Sequence, residues 1–135
     1  MKEFKSPLIF MWQMMSQKVY DFIRNSRKYV TIISPTNAGV TVDLYLSAPE
    51  TIVKFEGSID VDFDLNTVPV GSKIGDKLYL IMSSNTGNAI ITSVGQLEFN
   101  DCGPDNPPSE HDVDNGTTII PLVFDGEKFY GLDYC

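Results

Sequence analysis

Cysteine, histidine and tryptophan are scarce in this chain, which has two, one and one of them in 135 residues. Cys102 and Cys135 are too few for a disulfide framework and lack metal-type spacing, so two free thiols in a reducing compartment are expected. Histidine chemistry rests on His111 alone. A hydrolytic triad needs that imidazole beside an activated nucleophile, and neither a nucleophile elbow nor a catalytic cysteine context occurs in the sequence. Long apolar runs are missing too: Pro7 to Trp12 is far too short to span a bilayer, and no small-residue cleavage site follows it. A protein made and used without export is the expectation. The stretch "GSKIG" is too short for a phosphate loop, and no helical pattern follows it.

Positive charge is also in short supply. Ten Lys plus Arg stand against eighteen Asp plus Glu, a formal net charge of -8, which disfavours a grip on a phosphate backbone. No nucleic acid and no membrane are expected as partners. The imbalance is uneven along the chain: Met1 to Tyr29 holds six cations and two carboxylates, a net +4, so the remainder carries -12. Such a segment reads as a docking arm, or as a helix packed on an acidic sheet.

What the chain does have is the composition of a folded domain, with 42% hydrophobic residues, eight Phe and six Tyr. Its length suits one core. Ser6-Pro7 resembles a helix start, and Leu8, Met11 or Trp12, Met15, Val19, Phe22 and Ile23 fall near one face, which predicts a helix to about Arg27. An extended segment remains an alternative, because "LIFMWQMM" is apolar nearly all round.

Beyond Lys28 the texture becomes β-branched and aromatic, in short runs broken by Gly, Pro, Asn and Asp. Strands are predicted at Tyr29–Ile33, Val40–Leu46, Thr51–Phe55, Ser58–Phe63, Lys77–Met82, Ala89–Val94, Thr118–Phe124 and Lys128–Leu132. The expected fold is mainly β, an antiparallel β-sandwich or jelly-roll-like domain over residues 29–135, preceded by a helical or extended docking arm over residues 1–28. With no helix long enough to serve as a crossover, a parallel α/β sheet is excluded. The nearly unbroken apolar runs Leu78–Met82 and Ile119–Phe124 predict strands buried on both sides. Asp125-Gly126 predicts a type I′ hairpin turn, and Asn100–Gly116, rich in Pro and carboxylates, a long loop.

Three acidic groups bear on chemistry. Asp60, Asp62 and Asp64 would share a strand face at ~6.5–7 Å intervals, able to line a cation or act as a glycosidase pair, although a solvated face is the simpler reading. Glu110, Asp112 and Asp114 match a calcium loop poorly, since Asn115 and not Gly follows the third carboxylate. No catalytic residue, metal site or cofactor is therefore predicted.

In the carboxy-terminal half, "VPVGSKIGDKLYLIMSSNTGNAIITSVG" and then "GTTIIPLVFDGEKFYGL" resemble tailed-phage virion proteins, namely head-fibre, capsid-decoration and tail-fibre modules. The matching residues are Gly75, Asp76, Leu78, Leu80 and Ile81, then Ala89, Ile90 and Thr92, then Val123, Phe124, Asp125, Gly126, Lys128 and Phe129. The resemblance covers about half the chain, Val68 to Asp133, and departs from the pattern at the Asn100–Gly116 loop. It implies a non-enzymatic virion structural protein, made in the host cytoplasm, that binds the major capsid protein or other virion proteins as a homotrimer. On that reading Leu8, Phe10, Met11, Trp12 and Met15 dock on the shell, and Ile120, Leu122, Phe124, Phe129 and Tyr134 form the subunit interface. The alternative is a carbohydrate-binding or receptor-binding module of a phage fibre, with Tyr45, Tyr79 or Tyr130 as exposed platforms.

Overall fold

Alternation of apolar and polar residues makes strands with one buried face, and ten such strands form here with no helix among the described residues. The computed structural model describes residues 26–99 and 108–132. The strands are β1 (Arg27–Ile33), β2 (Val40–Tyr45), β3 (Glu50–Ser58), β4 (Phe63–Val68), β5 (Lys77–Ser84), β6 (Ala89–Ser93), β7 (Leu97–Glu98), β8 (Glu110–Val113), β9 (Gly116–Phe124) and β10 (Phe129–Gly131). A six-stranded sheet has the order β1-β3-β5-β9-β10-β7, and a four-stranded sheet the order β2-β4-β6-β8. The mainly β sandwich expected from the sequence is what forms.

Its strand pairing corrects the antiparallel expectation, because five of the eight pairings are parallel. Successive strands from β1 to β6 alternate between the two sheets, so each returns beside the strand two before it and runs the same way. Arg27 pairs with Glu50 and Val40 with Phe63, a step of 23 residues in either sheet. A parallel pair needs a crossover of a dozen or more residues. Here the crossover is a strand of the opposite sheet, and no helix is needed. Only β8, β9 and β10 bring in antiparallel pairs, closing the coil at its carboxy-terminal side.

The core lies between the sheets. Leu78, Leu80 and Met82 of β5 meet Phe63 and Leu65 of β4 and Ile91 of β6 in one buried cluster, and the rings of Phe55 and Phe63 meet at a tilt across the gap with centroids 5.5 Å apart. Close-packed side chains of this size each contribute roughly 1.5–3 kcal/mol by leaving water. At the edge of this core, Val30, Ile32 and Val42 from the first two strands are partly buried against it.

Several local expectations change. The run Ser58–Phe63 is no strand: Ser58 ends β3, residues 59–62 cross between the sheets, and Phe63 opens β4, whose remainder the sequence reading missed. The predicted Asn100–Gly116 loop contains β8, which pairs Thr92 with Glu110 and Ala89 with Val113. Asp125-Gly126 is not a two-residue I′ turn, since Asp125 has a negative φ and only Gly126 is positive, at 108°. Phe124 pairs with Phe129, leaving residues 125–128 as the connection. The Asp125 Oδ1 accepts the backbone N–H groups of Glu127 and Lys128, both at 2.8 Å, so a side chain shapes this turn. The helix predicted from Pro7 onward lies outside the described residues.

Candidate functional site

Because side chains alternate across a strand, each sheet has a second, outward face, and the two outward faces differ in chemistry. The strands of the four-stranded sheet contain Asp43, Asp64, Glu110 and Asp112 and no Lys or Arg. This face is acidic. The strands of the six-stranded sheet contain four cations (Arg27, Lys28, Lys54 and Lys77) against three carboxylates (Glu50, Glu56 and Glu98). Here charge is nearly balanced, and Arg27 Nε sits 3.1 Å from Glu50 Oε1.

Part of the outward side of the six-stranded sheet is also apolar. Register places Tyr29, Ile52, Tyr79 and Pro121 in one line across β1, β3, β5 and β9, with Thr31, Lys54, Ile81 and Ile119 in the next line outward from the same edge. Tyr29 is 69% exposed and Ile119 56%, while Ile52, Tyr79 and Ile81 are half-buried by their neighbours alone. The expectation that Leu78–Met82 and Ile119–Phe124 are covered on both sides is therefore met on the core side only. A bulge between Lys54 and Ser58 opens a shallow depression of about 380 Å³ beside this face, lined by Lys54, Glu56, Ser58, Ser83 and Asn85. It offers hydrogen-bonding groups without a nucleophile and base pair.

The residues assigned to a subunit interface are corrected by their burial. Ile120, Leu122, Phe124 and Phe129 are at most 4% exposed and belong to the chain's own core, with Phe124 and Phe129 packed at 4.8 Å between centroids. They point inward because they share parity with the core-facing positions of β9 and β10. Their neighbours Ile119, Pro121, Val123 and Tyr130 face outward instead. Tyr134, Cys102, Cys135 and the shell-docking residues Leu8, Phe10, Met11, Trp12 and Met15 lie outside the described residues. Tyr45 sits on the outward face of the four-stranded sheet, whereas Tyr79 and Tyr130 belong to the other, so the three tyrosines do not form one groove.

The acidic triplet is split among separate tasks. Asp60 Oδ1 accepts the Ser84 hydroxyl and the backbone N–H groups of Asn85 and Thr86, and Ser58 donates to its other oxygen. The Ser58 hydroxyl is the main influence holding the Asp60 carboxyl down to about 2; desolvation opposes it, and the Asn85, Ser84 and Thr86 donors add to it. This carboxylate ties the β3 end to the turn after β5, and its lone pairs are taken up by protein donors. Asp62 Oδ1 accepts the Ile90 N–H at 2.8 Å, and Asp64 lies in β4 on the outward side. No group of three metal-ligating side chains gathers among the described residues.

His111 is likewise accounted for by packing. It lies in β8, its ring edge against Phe99 at 5.2 Å, with Nδ1 2.7 Å from the Asp112 carbonyl oxygen. Among the described residues, no helix is long and apolar enough to cross a membrane.

The described residues thus define a two-sheet, mixed β-sandwich whose distinguishing feature is a surface and not a pocket. Comparison with family models, with curated proteins and with solved structures returns no match for this chain.

Proposed function

We propose that the chain is a virion structural protein of a tailed bacteriophage, a capsid-decoration or head-fibre protein that attaches to the shell as a homotrimer and serves no enzymatic role. The observation that supports this reading is where the phage-like motifs meet. The Gly75 N–H donates to the Phe124 carbonyl and the Phe124 N–H to the Asp76 carbonyl, both at 2.8 Å, so the "GD" and "VFDG" strings clamp each other although they lie far apart in sequence. Leu78 and Leu80 then pair with Leu122 and Ile120 on the adjoining strand. The shared pattern therefore describes one folded unit, which makes it more specific than its separate turn and strand strings. Docking is assigned to the part of the basic, apolar arm 1–28 that precedes β1, with the acidic body turned away from the shell.

Sedimentation with shells assembled without this chain tests the reading. The full-length protein is expected to co-sediment, and Trp12→Asp combined with Met15→Asp is expected to lower binding at least tenfold while leaving the β body folded. Equal binding by the variant would remove the docking assignment, and no binding by the wild type would remove the virion role.

A further inference from the structure

We infer that the outward face of the six-stranded sheet is the surface through which copies of this chain meet. Tyr29, Ile52, Tyr79 and Pro121 occupy one line across four strands, and Ile81 and Ile119 continue it on β5 and β9 in the next line, where β1 and β3 place Thr31 and Lys54; their parity points all of them away from the chain's own core. Sequence economy does not explain them. A solvated sheet face ordinarily carries polar residues at these positions, and a contiguous apolar patch on this scale marks a contact surface.

Charge selects the occupant. On this side Arg27, Glu50 and Lys77 alternate in sign along one register line, with Arg27 and Glu50 paired within the chain, so the face carries no dominant sign that would repel a second copy. The other outward face, with four strand carboxylates and no strand cation, repels its own copy. One face permits self-association and the other opposes it.

Area comes close to what is needed. Four strands at ~4.8 Å spacing and about seven residues at ~3.3 Å give on the order of 450 Å² per copy, or about 900 Å² over two copies, just under the ~1,000 Å² that a specific interface has to clear. Strands β10 and β7 extend the same sheet and enlarge that area. Outward side chains of two such faces interdigitate at the ~10 Å spacing of packed sheets. The inference draws on the homotrimer of the preceding section only for the number of copies, and on none of its capsid docking.

Light scattering of the full chain, alongside urea unfolding, tests it. The wild type is expected at two or three times 15.0 kDa, and Tyr29→Asp combined with Ile119→Asp at 15.0 kDa. Both side chains are more than half exposed, so the variant monomer should unfold with an ordinary cooperative transition. Ile119→Lys alone serves if the double variant does not fold, with a mass again falling to one chain. Tyr45→Asp, 62% exposed on the other sheet, should leave the assembly mass unchanged. A wild type at 15.0 kDa, a face variant that keeps the assembly mass, or equal dissociation by Tyr45→Asp would each overturn the inference. A dimer would support the face and remove the trimer, and shell binding by a monomeric face variant would leave the virion role standing without it.

Discussion

The outward faces of the two sheets present opposite solutions to the same geometry. Both sheets place alternate residues against one core, and both must do something with the other half of their side chains. In the four-stranded sheet those positions hold Thr41, Asp43, Asp64, Asn66 and Thr92 beside Tyr45, Val68 and Ile90, with Asn66 Nδ2 donating to Asp43 Oδ1 at 3.0 Å. Water completes such a face, and its uniform sign keeps like faces apart. In the six-stranded sheet the corresponding positions include Thr31, Lys54 and Glu56 but also Tyr29, Ile52, Tyr79 and Ile81 side by side, which water serves poorly. The difference teaches that burial within one chain is only half of what a strand pattern encodes: an apolar run unbroken by polar alternation asks for two covers, and this chain supplies one of them among its described residues.

The largest expected effect comes from cutting the core that the faces share. Leu80 on β5 has no exposure, so Leu80→Ala should lower unfolding free energy in urea by about 2–5 kcal/mol. Ile81, the next residue and outward-facing, should lose clearly less on the same substitution in the monomeric background. A loss at Ile81 equal to that at Leu80 would mean that the inward and outward sides are wrongly assigned.

Next comes a disruption confined to the acidic side. A Cβ on Gly95 would stand 2.5 Å from the Thr67 N and 2.6 Å from its carbonyl oxygen, both backbone atoms of β4. Gly95→Ala should therefore destabilise by about 1–3 kcal/mol, read as a lower urea midpoint. Assembly mass should not change with it as long as the protein stays folded.

Acid titration probes the joint between sheets. The Asp60 carboxyl is depressed to about 2 from an ordinary 3.8, so its contribution is fully present above about pH 4 and is lost as pH falls toward 2. Thermal melts across that interval should fall less steeply for Asp60→Asn than for the wild type. Parallel slopes would show that the donors from Ser58, Ser84, Asn85 and Thr86 do not favour the ionised form.

The smallest effect belongs to the charged rim of the apolar face. Arg27→Ala breaks a pair whose side chains are 54% and 25% exposed, and should cost within about 1 kcal/mol, less in high salt. Its effect on assembly mass should be slight beside that of substitutions at Tyr29 and Ile119.

Much of the β architecture was legible in the sequence, because Val, Ile, Phe and Tyr in short runs between Gly, Pro and Asn report strands directly. Lys77–Met82 and Thr118–Phe124 were found nearly in full on that basis. Parallel pairing was not legible. It depends on strands 23 residues apart meeting after a detour through the other sheet, and connections as different as residues 34–39 and 59–62 leave no repeated string. Asp60 and Asp62 mimic an alternating strand, and only the folded chain shows them bonded to backbone N–H groups of the turn after β5 and of β6. The candidate surface was half legible: the apolar excess in β5 and β9 was visible, but which parity faced the core was not, and it is Ile120 and Leu122 that face inward and Ile119 and Pro121 outward. Whether a side chain lines the core or the outside depends on pairing partners remote in the chain, here Leu80 against Ile120 and Ile81 against Ile119.

Tyr29 and Tyr45 provide the most direct measurement of the difference between the two faces. Within one chain they are exposed to similar extents, 69% and 62%, yet they stand on opposite sheets. Hydroxyl-radical footprinting of the full-length protein, read residue by residue in its assembled form, should find Tyr29 protected and Tyr45 labelled. Equal labelling of the two tyrosines would contradict an apolar face closed by copies of the same chain.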